Sequence, residues 1–182
     1  IIAEAFGEKT GRLIRRQSMH IVRSNEYPFI GCTPDAIQTD VDNGDGLLEI
    51  KTTSVYNEDE WAENVPIQYQ IQIQHQMYVT GHTWGTVCCL IGGQQMVWRD
   101  VDRNDKFIAA MVPQLVELWQ CIQNQTPPNV TGSATDRKLL NMLYPADSGE
   151  EIALPDWAAE LDAERLDIAE EVKRLEVRKT DI

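Results

Sequence analysis

The sequence predicts an α/β (α+β) protein, a central mixed β-sheet flanked by helices with an amphipathic helix at the C-terminal end. Three observations carry this. Helix-like and strand-like segments follow one another in the order helix, strands, helix, strands, helix. The stretch "FIGCTPDAIQTDVDNGDGLLEIKTTS", residues 29–54, reads as two strands around a linker crowded with turn formers. From Leu154 onward the chain becomes acidic, with apolar residues at three- and four-residue steps.

Residues 1–10 space Ile2, Ala5 and Phe6 as one helical face, and Thr10-Gly11 is its stop. "RLIRRQSMHIVRS" alternates and ends in "SNEYP", so a strand is expected. Phe29–Gln38 and Leu47–Thr53 are the next two strands; the Asn-Gly and Asp-Gly pairs between them signal a hairpin. In "VPIQYQIQIQHQMYVTGH" the glutamines imitate strand alternation. Val65, Tyr69, Gln72, Gln76 and Val79 nevertheless share one helical face, so a helix is expected after Pro66, ending near Gly81. "WGTVCCLIGGQQMVWRDVDR" reads as two strands around Gly92-Gly93, and Phe107, Met111, Leu115, Leu118 and Ile122 mark a helix carrying Pro113. "TPPNVTGSATD" reads as a loop. Trp157, Leu161, Ile168, Val172 and Leu175 form a seam that either packs on its own domain or pairs with a partner helix. The expected division is a core over 1–146 and an acidic C-terminal helix over 147–182.

Composition narrows the function classes. No run of about 18 apolar residues exists, so no membrane association is expected. Four cysteines, at 32, 88, 89 and 121, form no CxxC and read as buried hydrophobes in a reducing cytoplasm rather than metal ligands. The net charge of −13 excludes a binder that holds nucleic acid by bulk positive field. Residues 9–23 are nevertheless free of acids and carry Lys9, Arg12, Arg15, Arg16 and Arg23. Arg12, Arg15 and Arg16 are the candidates for phosphate-backbone contact, against the plain alternative of a solvated face. The tryptophans, at 61, 84, 98, 119 and 157, read as core.

Strand periodicity locates the chemistry. Glu49 and Lys51 are two residues apart and share a face, while Leu48 and Ile50 look the other way. A hairpin closing near Asn43-Gly44 brings Asp35 close to Glu49. Two carboxylates in a half-buried site repel unless a cation joins them, and hard oxygen ligands suit magnesium or manganese. A lysine beside such an ion can hold a water or stabilise charge on phosphate. Together Asp35, Glu49 and Lys51 suggest metal-assisted phosphodiester hydrolysis, although an ExK pair taken alone is ordinarily just solvated.

The flanking blocks add specificity. "GCTPDAI", "LLEIKTTS" and "YQIQIQHQMYVTG" resemble, in order and spacing, the YqaJ viral recombinase family, the lambda-exonuclease-like branch of the PD-(D/E)xK nucleases. The resemblance spans about residues 1–125 and implies a restriction-endonuclease-like core. It makes Asp35 and Glu49 metal ligands assisted by the backbone carbonyl of Ile50, Lys51 the catalytic lysine, and Gln72 the active-site glutamine. Tyr69 and Gln76, on the same helical face, are expected to extend the DNA contact; Gln74 is expected to be structural. It further implies an exonuclease using Mg2+ (with Mn2+ able to substitute), acting on double-stranded DNA ends. Cutting 5′ to 3′, it would leave 3′ single-stranded tails for an annealing protein, as a trimeric ring in a bacterial cytoplasm and encoded by a phage or prophage. An endonuclease or nickase, or a degenerate DNA-binding module, are the alternatives. One departure stands: the family's glutamate on its first core helix falls before Ile1, Glu4 lying too close to Phe6, so a chain shortened at its start is expected.

Overall fold

Helix α1 (Ile2–Thr10) ends where the sequence places its stop: Gly11 takes φ +73° and donates its N–H to the Gly7 carbonyl at 2.8 Å. The computed structural model describes residues 1–16, 20–146, 149 and 153–180, with Arg16 described by its backbone alone. Two compact units result, Ile1–Pro128 and Asn129–Ile182.

In place of the single strand expected after α1 there are two, β1 (Leu13–Arg16) and β2 (Val22–Arg23). Residues 17–19, inside that expected strand, lie outside the described residues. The strand expected over 29–38 is also divided, into β3 (Gly31–Cys32) and β4 (Ala36–Asp40). Pro34 lies at the break, and a residue without an N–H cannot continue a ladder. β2 pairs with β3 in a small antiparallel sheet, whereas β1 pairs with β4 in the main one.

The main sheet runs β1-β4-β5-β6-β7, with β5 (Gly44–Thr53), β6 (Trp84–Ile91) and β7 (Gln95–Asp102). β5 and β6 are parallel and the other pairs antiparallel. The parallel pair requires a crossover, supplied by 3₁₀ turns over Val55–Trp61 and helix α2 (Ile67–Thr80), which stops at Gly81 with φ +79°. Of the two hairpin signals, Asn43-Gly44 makes the turn, Gly44 taking φ +70°; Asp45-Gly46 is already strand.

Each face of the sheet buries one helix. Ile37, Leu47, Val87, Cys89 and Ile91 pack against Ile73 and Met77 of α2. On the opposite face Ala36, Leu48 and Cys88 pack against Ala3 and Phe6 of α1, with Trp98 edge-on to Phe6 at 5.8 Å. Trp61 and Trp84 are buried as expected, but Trp119 and Trp157 are exposed. α3 (Asp105–Asn124) runs through Pro113 and begins at Asn104, whose side chain accepts from Phe107 N at 3.0 Å. In the second unit α5 (Asp156–Thr180) is the expected acidic helix. A helix absent from the sequence reading, α4 (Ala134–Leu143), precedes it, capped by Ser133. Among the described residues no helix is long and apolar enough to cross a membrane.

Candidate active site

Strand β5 outlasts its neighbour. β4 begins at Ala36, opposite Leu48, so the part of β5 beyond Leu48 has no ladder partner on that side. The Ile50 N–H facing this open edge is satisfied by Asp35, whose Oδ2 accepts it at 2.8 Å. The N–H and C=O of one strand residue point to the same side. The Ile50 carbonyl therefore faces the same edge as the exposed Asp35 carboxylate. A cavity of about 360 Å³ opens there, lined by Ile2, Ala3, Asp35 and Ile50.

Glu49 and Lys51 point to the face that α2 covers, while Leu48 and Ile50 point toward α1. Glu49 is only 4% exposed, and a buried carboxylate demands partners. Its Oε1 accepts from Lys51 Nζ at 2.7 Å and from Gln72 Nε2 at 2.6 Å; its Oε2 accepts from Gln76 Nε2 at 2.7 Å. Tyr69 lies one helical turn before Gln72, and its ring sits 4.9 Å from Lys51 Nζ and stacks on Trp61. Asp35, Glu49, Lys51, Gln72, Gln76 and Tyr69 are thus gathered around the end of β5.

Two expectations change. Gln76 is buried, so its expected contact with DNA is corrected: it holds Glu49 instead. Arg12 is likewise internal. Its Nε donates to Asp40 at 2.9 Å, its Nη1 to Gln38, Thr86 and Asp100, and its Nη2 to Asp100 at 2.7 Å, with the guanidinium over the Trp84 ring. Those acceptors hold it at the end of β4 away from Asp35, so a DNA backbone contact by Arg12 is corrected. Arg15 is exposed and ion-paired with Asp45. Arg16 pairs through its backbone with Ala36, next to Asp35, and its side chain lies outside the described residues.

One neighbour of the site went unread. Burial, and then the Glu49 charge, push the Cys32 thiol up to about 11, which places β3 beside the cluster. No periodic signal marked it, because β3 has only two residues. Gln74 is structural as expected, donating to the Asp102 carbonyl at 2.7 Å and accepting from Asn104 N at 2.8 Å. Burial lowers the pKa of His75, which stands beside Phe29 and Trp119.

The donor set fits a hard divalent ion: two carboxylates and a strand carbonyl, all oxygen, with a cavity beside Asp35 and Ile50. Among the described residues no group of three or more His, Cys, Asp or Glu gathers, so such an ion would rest on these few oxygens plus water.

The mixed sheet with one helix on each face matches the fold of an alkaline exonuclease. A solved structure of the alkaline exonuclease LHK-Exo from Laribacter hongkongensis matches with a TM-score of 0.57, over 78% of this chain and 68% of that one, at 20% identity. The complex of LHK-Exo with dAMP matches at 0.53 and 19% identity, over the same shares. The particular kinship comes from sequence. Residues 1–83 match the YqaJ-like viral recombinase domain, and protein YqaJ of Bacillus subtilis (strain 168) is 32% identical over 148 residues, 79% of this chain. The chain is thus similar to protein YqaJ, and its residues 1–83 to the YqaJ-like viral recombinase domain. It spans 45% of that protein's length.

Proposed function

We propose that this domain is a magnesium-dependent deoxyribonuclease that degrades one strand of linear duplex DNA from its 5′ end and leaves a 3′ single-stranded tail. The observation that carries the reading is the buried Glu49, held by Lys51, Gln72 and Gln76 one residue from the Asp35–Ile50 contact. A buried carboxylate wrapped in three donors is costly to build for structure alone. Its kinship with a recombinase domain and its alkaline exonuclease fold support DNA as the polymer.

Asp35, Glu49 and the Ile50 carbonyl would hold the ion. When bound, magnesium supplies Lewis acidity and a water of lowered pKa. The chain's own groups do the rest. Lys51 sets a positive charge where phosphate charge develops, and the Tyr69 ring limits how far its ammonium can swing. Gln72 shares Glu49 Oε1 with Lys51, so it keeps the lysine in register and offers its amide to the attacking water or the scissile phosphate. Arg15 and Arg16 remain the proposed backbone contacts, with Tyr69 at the strand to be cut. The nuclease core lies within residues 1–146. A ring of three copies and an annealing protein that takes the 3′ tail, in the cytoplasm of a phage-bearing bacterium, complete the proposal.

A gel assay tests it. With magnesium, linear duplex should shorten while closed circular duplex stays intact. Nicking of circles would favour an endonuclease on this fold. Binding without cleavage of either would reduce the domain to a DNA-binding module.

A further inference from the structure

Gln76 is 3% exposed, and its Oε1 is buried with no hydrogen-bond donor among the described residues. An orphaned buried carbonyl costs stability, so something must hold the amide this way round. That something is Glu49: turning the amide over would face its oxygen to the carboxylate, whereas the present orientation donates Nε2 to Oε2 at 2.7 Å.

Counting lone pairs shows what the arrangement achieves. Each carboxylate oxygen has two acceptor positions. Oε1 of Glu49 uses both, for Lys51 and Gln72, while Oε2 uses one, for Gln76. Among the described residues nothing fills the second position on Oε2, which suits a cation. Gln72 and Gln76 stand one turn apart on α2 and take opposite oxygens, so together they fix the plane of the carboxylate as well as its place.

Building on the nuclease reading, we propose that Gln76 is a positioning residue: it orients Glu49 so that the open position of Oε2 is presented to the divalent ion. Gln76 itself touches neither DNA nor the reacting atoms. This separates it from Gln72 and Tyr69, which reach less buried space on the same helical face.

The test compares calcium affinity with DNA kinetics in the wild-type chain and in Gln76→Met, which keeps the length and removes both polar atoms. Calorimetric titration of calcium should show affinity weakened about tenfold to a hundredfold, the usual effect of losing a group that orients a metal ligand. With magnesium and linear duplex, kcat should fall while KM for DNA stays unchanged. The metal-free melting temperature should fall only modestly, because the orphaned oxygen leaves with the amide and offsets part of the donor that Oε2 loses. Should the methionine chain fail to fold, Gln76→Ser leaves room for water and is read the same way. Unchanged calcium affinity in a folded variant overturns the proposal. So does a raised KM with calcium affinity intact, which would return Gln76 to a strand contact. A wild-type chain that cleaves DNA with an indifferent Gln76 variant rejects this inference alone; a wild-type chain that binds no calcium and cuts nothing rejects the nuclease reading with it.

Discussion

Lys51 and Arg12 are both cations set against carboxylates, and their surroundings separate their roles. Lys51 Nζ shares Glu49 Oε1 with a glutamine at the open end of the sheet, so its charge is available to a phosphate. Lys51→Ala should cost on the order of a hundredfold or more in kcat, by removing preorganised charge from the transition state. DNA affinity measured in calcium should change little, and near wild-type turnover would make Lys51 an ordinary ion-pair partner. Arg12 instead closes a network of Asp40, Gln38, Thr86 and Asp100, its own side chain 12% exposed and that of Asp100 46% exposed. Arg12→Ala should destabilise the fold by about 2 kcal/mol, below the loss from a fully buried pair because water reaches Asp100. The hydrogen bond from Arg12 holds the Asp100 carboxyl below the usual carboxylate range. A depressed carboxyl stabilises the fold above its ordinary pKa, and that contribution fades as pH falls through the lowered value. The wild-type melting temperature should therefore drop as pH falls below about 4, and Arg12→Ala should flatten that drop. Parallel curves would detach Asp100 from acid stability.

Among the elements, the β4–β5 hairpin decides whether Asp35 meets β5. Its turn depends on Gly44, and its register is pinned further along by Gly46, opposite Gln38. A Cβ on Gly46 would lie 2.4–2.7 Å from the Trp84 ring. Trp84 in turn donates Nε1 to the Asn43 carbonyl at 3.1 Å, tying β6 to the turn. Gly46→Val should cost about 1–3 kcal/mol, as overpacking does, read from denaturant midpoints. Activity per folded molecule should fall as well, because the strand that carries Glu49 shifts against β4. A variant of wild-type stability would show that the indole moves aside freely.

Over the whole molecule, the core lies in Ile1–Pro128, and none of the described residues of Asn129–Ile182 is buried. A chain ending at Pro128 should therefore keep the melting temperature of the longer one within about 2 °C. A larger loss would show that the second unit supports the first. Metal acts on the same scale. EDTA should abolish hydrolysis, and calcium should bind without supporting turnover because its looser geometry places water poorly. At a hundred times its dissociation constant, a bound ion should stabilise the fold by about 2.7 kcal/mol, visible as a higher melting temperature. Undiminished cleavage in EDTA would refute the metal reading.

Periodicity and turn chemistry made much of this legible in the chain. The face shared by Glu49 and Lys51, the helix between Pro66 and Gly81, and the turn at Asn43-Gly44 are local consequences of side-chain alternation and backbone freedom. The gathering of Tyr69, Gln72 and Gln76 on one helical face is equally local. Pairings between distant segments were not legible. That Arg12 would find Asp100, that Gln76 would grip Glu49 rather than DNA, and that β3 would bring Cys32 to the site depend on where strands far apart in sequence come to rest. A guanidinium or an amide has the same letter whether it meets water, phosphate or a buried carboxylate. Only the packed sheet decides which acceptor lies within 3 Å.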